Sequence, residues 1–173
     1  MDNRRLIVSK IKDGIVIDHL PPGRGMIVLA ALQKYSENSG FDLYSKRIVL
    51  LINTDSTQYI KKDILKSEGL TELPPDVEVV IALLRPHDPP TVNIIKNYEV
   101  VKKYKPQLPK SFSTYFLKCP HPNCITNDVR EQKHFGVHVH REFEVIEYEK
   151  EIYLRCPFCN TIITLDEIQK LIG

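Results

Sequence analysis

Apolar residues along the first hundred positions follow two periods, the two-residue repeat of a strand and the longer repeat of a helix face. The strand pattern occurs at residues 6–8, 15–17, 43–53, 60–65, 91–95 and 98–103. Helical spacing predicts one helix over residues 24–36 and a second that opens at residues 73–76 and ends before Arg85. The resulting order is close to βαββαβ. Because both helices need a sheet to cover their apolar faces, we expect an α/β sandwich.

A linker pattern follows this segment. Residues 104–110 (YKPQLPK) hold two prolines and two lysines within seven positions, which is typical of inter-domain linkers. We therefore expect one domain over residues 1–105 and a second over residues 106–173. Within the second, short strands are predicted at residues 114–118, 143–148 and 151–154, and residues 165–172 predict one or two turns of amphipathic helix.

Composition and charge exclude several classes of protein. The 173 residues are 42% hydrophobic and 27% charged, and they contain no apolar run long enough to span a bilayer. The N-terminus runs directly into a short strand pattern rather than the long apolar core of a signal peptide. We therefore expect a cytoplasmic protein without a membrane partner. A net charge of +2 is too small to indicate a nucleic-acid partner.

The four cysteines fall into two close pairs. Cys119 and Cys124 form the first, Cys156 and Cys159 the second, and 31 residues separate them. Each pair can form a knuckle, and two knuckles complete a tetrahedral four-thiolate zinc site. Two disulfides would be unusual in the cytoplasm, and a redox-active CxxC would leave the first pair unexplained. We expect one structural zinc ion, since four thiolates leave no open coordination position.

Three histidines lie in the insert between the cysteine pairs, at positions 134, 138 and 140. His138 and His140 would share one face of a strand and could chelate a second metal. A loop or hairpin that carries these side chains without binding metal is the more economical interpretation. We therefore do not include the three histidines in a site.

Several ordered motifs resemble those of a known family. They are residues 14–21 (GIVIDHLP), 62–66 (KDILK), 91–93 (TVN), 97–101 (NYEVV), 106–109 (PQLP) and the cysteine pairs CPHPNC and CPFC. The set spans nearly the whole chain in the right order and resembles the regulatory chain of aspartate carbamoyltransferase. The resemblance implies an α+β fold, with a ferredoxin-like βαββαβ nucleotide-binding domain followed by a small all-β zinc domain.

The resemblance also implies a function without chemistry on this chain. Regulatory chains of this family pair as homodimers, and three dimers hold two catalytic trimers together through zinc domains that dock on the catalytic chain. CTP inhibits with help from UTP, and ATP activates by competing for the same pocket. We therefore expect a non-catalytic allosteric subunit that controls pyrimidine biosynthesis.

The nucleotide pocket that the resemblance implies draws on several strands. Its residues would be Val8, Ser9, Lys10, Ile11, Asp18, His19, Lys62, Lys66, Asn93, Ile95, Tyr98, Val100 and Lys103. Lys66, Lys103 and His19 suit a triphosphate, and Asp18 and Lys62 suit ribose hydroxyls. Backbone groups near Ile11, Ile95 and Tyr98 would read the base. Each residue has a plainer alternative, because apolar residues fill any sheet core and strand lysines are usually solvated.

Some features depart from the family pattern or favour other functions. Ser9-Lys10 stands where the family often has an acidic and a small residue, and both the segment 42–57 and the insert between the cysteines are longer than expected. An orphan nucleotide sensor without a catalytic partner is one alternative. A nucleic-acid-binding zinc ribbon is another: a basic strip could bind phosphate, but the glutamates that follow it would repel phosphate. These residues are Lys102, Lys103, Lys105, Lys110, Lys118 and Arg130, then Glu142, Glu144, Glu147, Glu149 and Glu151.

Overall fold

The structure, a computed structural model, describes residues 9–57, 60–134 and 141–172. The strand predicted at residues 6–8 lies outside these ranges, as do Val8 of the predicted pocket and the histidines at positions 138 and 140. Within the described ranges no helix is both long and apolar enough to cross a bilayer.

The first domain contains five strands and two helices. Their bounds are β1 Gly14–Leu20, α1 Gly25–Ser39, β2 Arg47–Asp55, β3 Lys61–Glu68, α2 Pro75–Leu84, β4 Thr91–Lys96 and β5 Glu99–Tyr104. The strands form one antiparallel sheet in the order β2-β3-β1-β4-β5. The first four strands with their helices make the predicted ferredoxin-like βαββαβ unit, and β5 extends the sheet beside β4.

Both helices of this domain cover the same face of the sheet. Ile15 and Ile17 of β1 are fully buried in one core with Val28 of α1 and Val80 of α2. Val16 lies between the two isoleucines and is only half-buried, because successive strand residues point to opposite faces. Among the described residues, no helix covers the face that carries Val16.

The start of α2 and the end of α1 follow from local sequence. Pro75 begins α2, where a missing N–H costs nothing and the fixed φ already suits a helix. Gly40 ends α1 in a left-handed conformation with φ 72°, which glycine adopts without steric cost.

The second domain has a four-stranded antiparallel sheet in the order β6-β7-β8-β9. Its elements are β6 Ser111–Ser113, α3 Val129–His134, β7 Glu142–Tyr148, β8 Glu151–Arg155, β9 Ile162–Thr164 and α4 Leu165–Ile172. The all-β description needs refinement, since α3 was not predicted and α4, which was, belongs to the same domain. β9 was also not predicted, because three residues are too few to show a period.

The strand predicted at residues 114–118 is wrong. The paired strand is Ser111–Ser113, and the chain turns immediately afterwards. The Thr114 hydroxyl accepts a hydrogen bond of 3.1 Å from the backbone N–H of Phe116, and this local bond competes with strand pairing. Phe116 and Leu117 are both buried although they are adjacent, so the alternation of a strand is lost.

The two domains are in contact through the helices of the first. Helix α4 packs against α1 and α2, and the Asp76 carboxylate at the start of α2 accepts a hydrogen bond of 3.0 Å from the backbone N–H of Tyr115. Beyond the other end of α2, His87 Nε2 lies 2.6 Å from the backbone oxygen of Lys150. The second domain is thus held at both ends of α2.

Candidate functional site

A row of side chains crosses the open face of the first sheet. Strand pairing places Lys66 of β3 opposite Val16 of β1, Val16 opposite Asn93 of β4, and Asn93 opposite Lys103 of β5. Residues directly opposite in an antiparallel pair project to the same side. The Asn93 side chain also donates a hydrogen bond of 3.2 Å to the backbone oxygen of Val16. Two lysines therefore flank an amide and an apolar side chain on one surface.

A cavity of about 370 Å³ opens on this surface. It is lined by Lys10, Ile11, Val16, Lys66, Asn93, Ile95, Tyr98 and Val100. Its walls are mainly apolar, with polar groups from lysine, asparagine and tyrosine. This combination suits a flat organic ring that also carries polar groups.

The hairpin between β4 and β5 forms one wall of the cavity. Asn97 and Tyr98 form its two-residue turn and have φ of 49° and 68°, as in the tight hairpin turns that match strand twist. The Tyr98 N–H donates to the Lys12 oxygen at 2.9 Å, and the Asn97 N–H donates to the Asp13 carboxylate at 3.0 Å. These bonds fix the turn, and with it Tyr98, against the segment that carries Lys10 and Ile11.

An ionic cluster lies beyond the cavity, two residues further along β1 from Val16. Lys62 Nζ is 2.7 Å from Asp18 Oδ1, and both side chains are largely buried. The backbone N–H of His19 donates to the same carboxylate at 2.7 Å. His19 has a left-handed backbone with φ 65° at an irregularity in the β1–β3 register. Two residues of strand span about 7 Å, so one extended ligand could contact both cavity and cluster.

Positive charges act on His19 in this cluster, although Lys62 is paired with Asp18 and Lys105 with Asp88. Burial lowers the pKa of His19 below its usual value, Asp18 opposes this shift, and the positive charges of Lys62, Lys103 and Lys105 add to it. Three lysines are therefore close enough to act on one imidazole. A polyphosphate beside them would gain from the same field.

The structure brings most of the predicted pocket residues together and separates a few. Seven of them line the cavity: Lys10, Ile11, Lys66, Asn93, Ile95, Tyr98 and Val100. Asp18, His19 and Lys62 form the ionic cluster, and Lys103 lies opposite Asn93. Ser9 is exposed and is not part of the cavity lining.

Sequence reasoning missed Val16 in the cavity and Lys105 near the cluster. The alternation in β1 carried the signal for Val16, because buried Ile15 and Ile17 require their neighbour to face the other way. Lys105 was assigned to the linker. A larger cavity of about 550 Å³ lies between the end of α1 and the loop before α2, and none of the predicted residues line it.

The four cysteines converge on one point of the second domain. Their sulfur atoms all lie within 4.8 Å of one another. Cys119 Sγ is 3.5 Å from Cys159 Sγ, and Cys124 Sγ is 3.7 Å from Cys156 Sγ. A tetrahedral ion with metal–sulfur bonds of about 2.3 Å places its sulfurs about 3.8 Å apart. The residues therefore fit a four-thiolate metal.

Backbone turns aim the sulfurs inward. In the second knuckle, the Asn160 N–H donates to the Cys156 oxygen at 2.8 Å and the Cys156 N–H donates to the Thr161 oxygen at 3.0 Å. In the first, the Cys124 N–H donates to the His121 oxygen at 3.1 Å. The Asn127 side chain adds a bond of 2.7 Å to the Cys119 oxygen. These bonds hold each pair at the spacing that one ion requires.

Two of the cysteine sulfurs are within hydrogen-bond distance of threonine hydroxyl groups. Thr126 Oγ1 lies 3.1 Å from Cys124 Sγ, and Thr161 Oγ1 lies 3.1 Å from Cys159 Sγ. Burial acts to raise the pKa of Cys159, but hydrogen bonds with Thr161 and the neighbouring cysteines outweigh it and lower that pKa to about 6. Burial raises the pKa of the Cys119 and Cys156 thiols, so a bound cation is needed to keep those two as thiolates at neutral pH.

The histidines of the insert add nothing to this cluster among the described residues. His134 is the last residue of α3, is exposed and does not join the four cysteines. His138 and His140 lie outside the described ranges.

Comparison with known proteins assigns both halves of the chain. Residues 6–107 match the model of the aspartate carbamoyltransferase regulatory chain, allosteric domain, and residues 113–169 match that of its metal binding domain. The chain belongs to the aspartate carbamoyltransferase regulatory chain family. The resemblance inferred from the ordered motifs is confirmed. As a regulatory chain it is not an enzyme, and the name of the family implies a catalytic chain as partner.

Regulatory chains from archaea and bacteria align over nearly the full length. The chain is 41% identical to that of Caldivirga maquilingensis over 168 residues, covering 97% of this chain and 92% of the relative. It is 41% identical to that of Sulfolobus acidocaldarius, covering 99% and 93%, and 36% identical to that of Aliivibrio salmonicida, covering 99% of both. The family assignment also makes the four-cysteine cluster the metal site of the metal-binding domain.

Proposed function

We propose that this regulatory chain binds CTP, ATP and UTP on the open face of its five-stranded sheet and thereby controls pyrimidine biosynthesis by aspartate carbamoyltransferase. The observation that carries the proposal is that a mainly apolar cavity and the ionic cluster follow one another along β1. The base would occupy the cavity beside Ile95 and Tyr98. The phosphates would extend to Lys66, Lys103 and His19.

The side chains at each place suit the part of the nucleotide that is assigned to it. Lysine ammonium groups act as point charges toward phosphate oxygens, and Lys66 lines the cavity opposite Val16. The Asp18 carboxylate can accept hydrogen bonds from ribose hydroxyls, while its ion pair with Lys62 holds it in place. CTP, ATP and UTP would compete for binding because their bases occupy the same cavity. Control then requires that each nucleotide binds the two states of the assembled enzyme unequally.

The metal is proposed to be zinc, with one structural ion per chain. Four thiolates are typical ligands of structural zinc, and four filled positions leave none for a reacting water. Zinc would cross-link the two knuckles and so stabilise a domain with a small core. Titration of the metal-free chain with Co²⁺ tests the ligand set, because a tetrahedral four-thiolate site gives strong visible absorption at one equivalent. An octahedral spectrum would reject the assignment.

The chain is further proposed to form a homodimer through β5. This strand is at the edge of the sheet, and Val100 and Val101 are both more than half exposed. An edge strand presents backbone N–H and C=O groups that can pair with a second copy. The proposed location of the complex is the cytoplasm, without nucleic acid or membrane as partners.

Calorimetric titration of the metal-loaded chain with CTP, and then with ATP, tests the nucleotide site. We expect both to bind and to compete, and Lys66→Ala to weaken both. Lys46→Ala is the matched control, since Lys46 lines the larger cavity on the other side of the domain. Absence of binding by the unmodified chain, or equal losses in both variants, would reject the site.

A further inference from the structure

Lys105 lies just beyond the end of β5, on the face of the sheet that carries the cavity. Strand pairing places Lys103 opposite Asn93 on this face. Lys105 precedes Pro106, which keeps its backbone extended, so it continues the alternation of the strand and points to the same side as Lys103. The ammonium group of Lys105 forms an ion pair with the Asp88 carboxylate. This face therefore has a further lysine whose charge is held by an acid.

The register of the sheet places Lys105 beside the ionic cluster. Asp18 of β1 pairs with Thr91 of β4, and β5 pairs with β4 as far as Val92, so Lys105 continues the row that Asp18 and Thr91 begin. Neighbouring strands are about 4.8 Å apart, which puts the backbone of Lys105 roughly 10 Å from that of Asp18. The positive charge of Lys105 also acts on the His19 imidazole. The lysine is thus close to the proposed phosphate groups without being in the cavity lining.

The ion pair between Lys105 and Asp88 can open at small cost. The two side chains are 47% and 41% exposed, and ion pairs of this kind contribute little to stability. Asp88 also has a second cation, since Arg85 Nη1 lies 3.7 Å from its other carboxylate oxygen. The carboxylate therefore keeps a counter-charge when Lys105 turns away. The pair between Lys62 and Asp18 differs, because both of its side chains are largely buried.

The backbone on both sides of this ion pair is fixed. Asp88 precedes Pro89 and Lys105 precedes Pro106, and both prolines are buried. A residue before proline is restricted to extended conformations. An exchange of partners at Lys105 therefore needs only rotation of its side chain, and the backbone of the site stays in place.

We propose that Lys105 is a further phosphate-binding residue of the nucleotide site, and that it leaves Asp88 to bind the end of the phosphate chain of a nucleoside triphosphate. The inference rests on the proposed function, which assigns the phosphates to Lys66, Lys103 and His19. A triphosphate carries more negative charge than one carboxylate, so the Lys105 ammonium gains from the exchange. Asp88 is the competing anion in the free chain.

The position of Lys105 makes the site selective for the length of the phosphate chain. Val100 lines the cavity, and Lys105 lies five positions further along the chain. Five residues of strand span about 17 Å, so a monophosphate on a base in the cavity ends well before Lys105. A triphosphate extends toward it. The exchange with Asp88 therefore favours triphosphates over monophosphates that carry the same base.

Calorimetric titration of the metal-loaded chain with CTP and with CMP, at one ionic strength, tests the inference. Lys105→Ala should weaken CTP binding about tenfold, the effect of losing a hydrogen bond to a charged group. Asp88→Asn should tighten CTP binding about threefold, because the exposed ion pair no longer competes for Lys105. In the Lys105→Ala background, Asp88→Asn should have no further effect, since both residues act through one pair. CMP affinity should stay at the parent value in every variant.

Two controls change the same charges elsewhere on the first domain. Lys102→Ala removes an exposed lysine of β5 whose ammonium lies 4.8 Å from the centre of the Tyr104 ring, on the other face of the strand from Lys103. Asp42→Asn neutralises an exposed acid in the loop between α1 and β2. Both controls should bind CTP like the parent chain.

The outcomes separate the role of Lys105 from the proposed function. A loss confined to CTP in Lys105→Ala, with a gain in Asp88→Asn beyond that of Asp42→Asn, would support the inference. Equal weakening of CTP and CMP by Lys105→Ala would overturn it, because the residue would then act on the fold or on the base. CTP binding that neither variant changes would overturn it and leave the proposed function intact. If the parent chain binds neither nucleotide, the proposed function fails and the inference fails with it.

Discussion

Oδ2 of Asp63 accepts a hydrogen bond of 2.9 Å from the backbone N–H of Gly25, the first residue of α1. Oδ1 of the same carboxylate accepts another bond of 2.9 Å from the N–H of Asn53. Asp63 is fully buried, and buried carboxylates require such partners. Because Arg24 supplies no side-chain cap to α1, a residue of β3 performs that task from 38 positions away. The same carboxylate holds β2 where its register shifts.

Replacing Asp63 by Ala should lower the free energy of unfolding by about 2–4 kcal/mol, since two buried N–H groups lose their acceptor. Urea unfolding of the metal-loaded chain measures the effect. Asp55→Ala is the matched control, because Asp55 is exposed and forms a surface ion pair with Lys61, and its unfolding midpoint should barely move. Equal midpoints for the two variants would show that the cap contributes nothing.

Gly14→Ala should destabilise the first domain severely. A Cβ at position 14 would lie 2.1 Å from the backbone oxygen of Ser67, and neither strand can move without breaking β1–β3 pairing. We expect a loss of about 3 kcal/mol or more. Gly40→Ala is the comparison, because a Cβ there would meet no atom within 4 Å and only the left-handed backbone costs about 1 kcal/mol. Thermal unfolding ranks the pair, and the reverse ranking would refute the steric explanation.

Thr161→Val should weaken metal binding about tenfold, as loss of an outer hydrogen bond to a ligand typically does. The hydroxyl donates to the Cys159 thiolate once the metal is bound. Competition with a chromophoric chelator measures the change. Thr71→Val, on an exposed loop of the first domain, should leave metal affinity unchanged. If both variants bind metal like the parent, Thr161 has no part in holding the ligand.

Nucleotide affinity should increase as the pH falls from about 8 toward 6. Burial and the neighbouring lysines lower the pKa of His19, so the imidazole of the free chain is neutral at pH 7. A triphosphate beside it favours the protonated form and raises this pKa, which couples binding to proton uptake. Calorimetry in buffers of different ionisation enthalpy measures the uptake. His19→Gln corrects for titration of the phosphates themselves, and an identical pH profile in that variant would remove His19 from the binding site.

The lowered pKa of His19 also makes the stability of the folded chain depend on pH. Because the pKa of His19 is lower in the folded chain than in the unfolded chain, the unfolded state binds the proton more tightly. The contribution of His19 to the free energy of unfolding is therefore fully present at a pH above 6.5, the pKa of the unfolded chain. It is lost as the pH falls through the lower pKa of the folded chain. Acid thus favours nucleotide binding while it reduces the stability of the free domain.

Much of the first domain and the metal site could be predicted from the sequence because their signals are local. The β-branched runs of β1 and β4 and the helical spacing of α1 express their periods within a few residues. The cysteines carry their ligand chemistry in their own spacing. Prediction failed where a local bond decided the outcome, as at Thr114, and where an element was too short to show a period, as at β9.

The positions of the remaining side chains depend on strand pairing between distant segments of the chain. The sequence by itself determined the order of elements from β1 to β5, the four cysteines as one cluster and the membership of the family. Only the tertiary structure placed Val16 between Lys66 and Asn93, left Ser9 outside the cavity and set Asp63 at the start of α1. These relationships join residues tens of positions apart, so no local pattern contains them. They arise because one face of each sheet is buried, which fixes the strand register and with it every side chain on the opposite face.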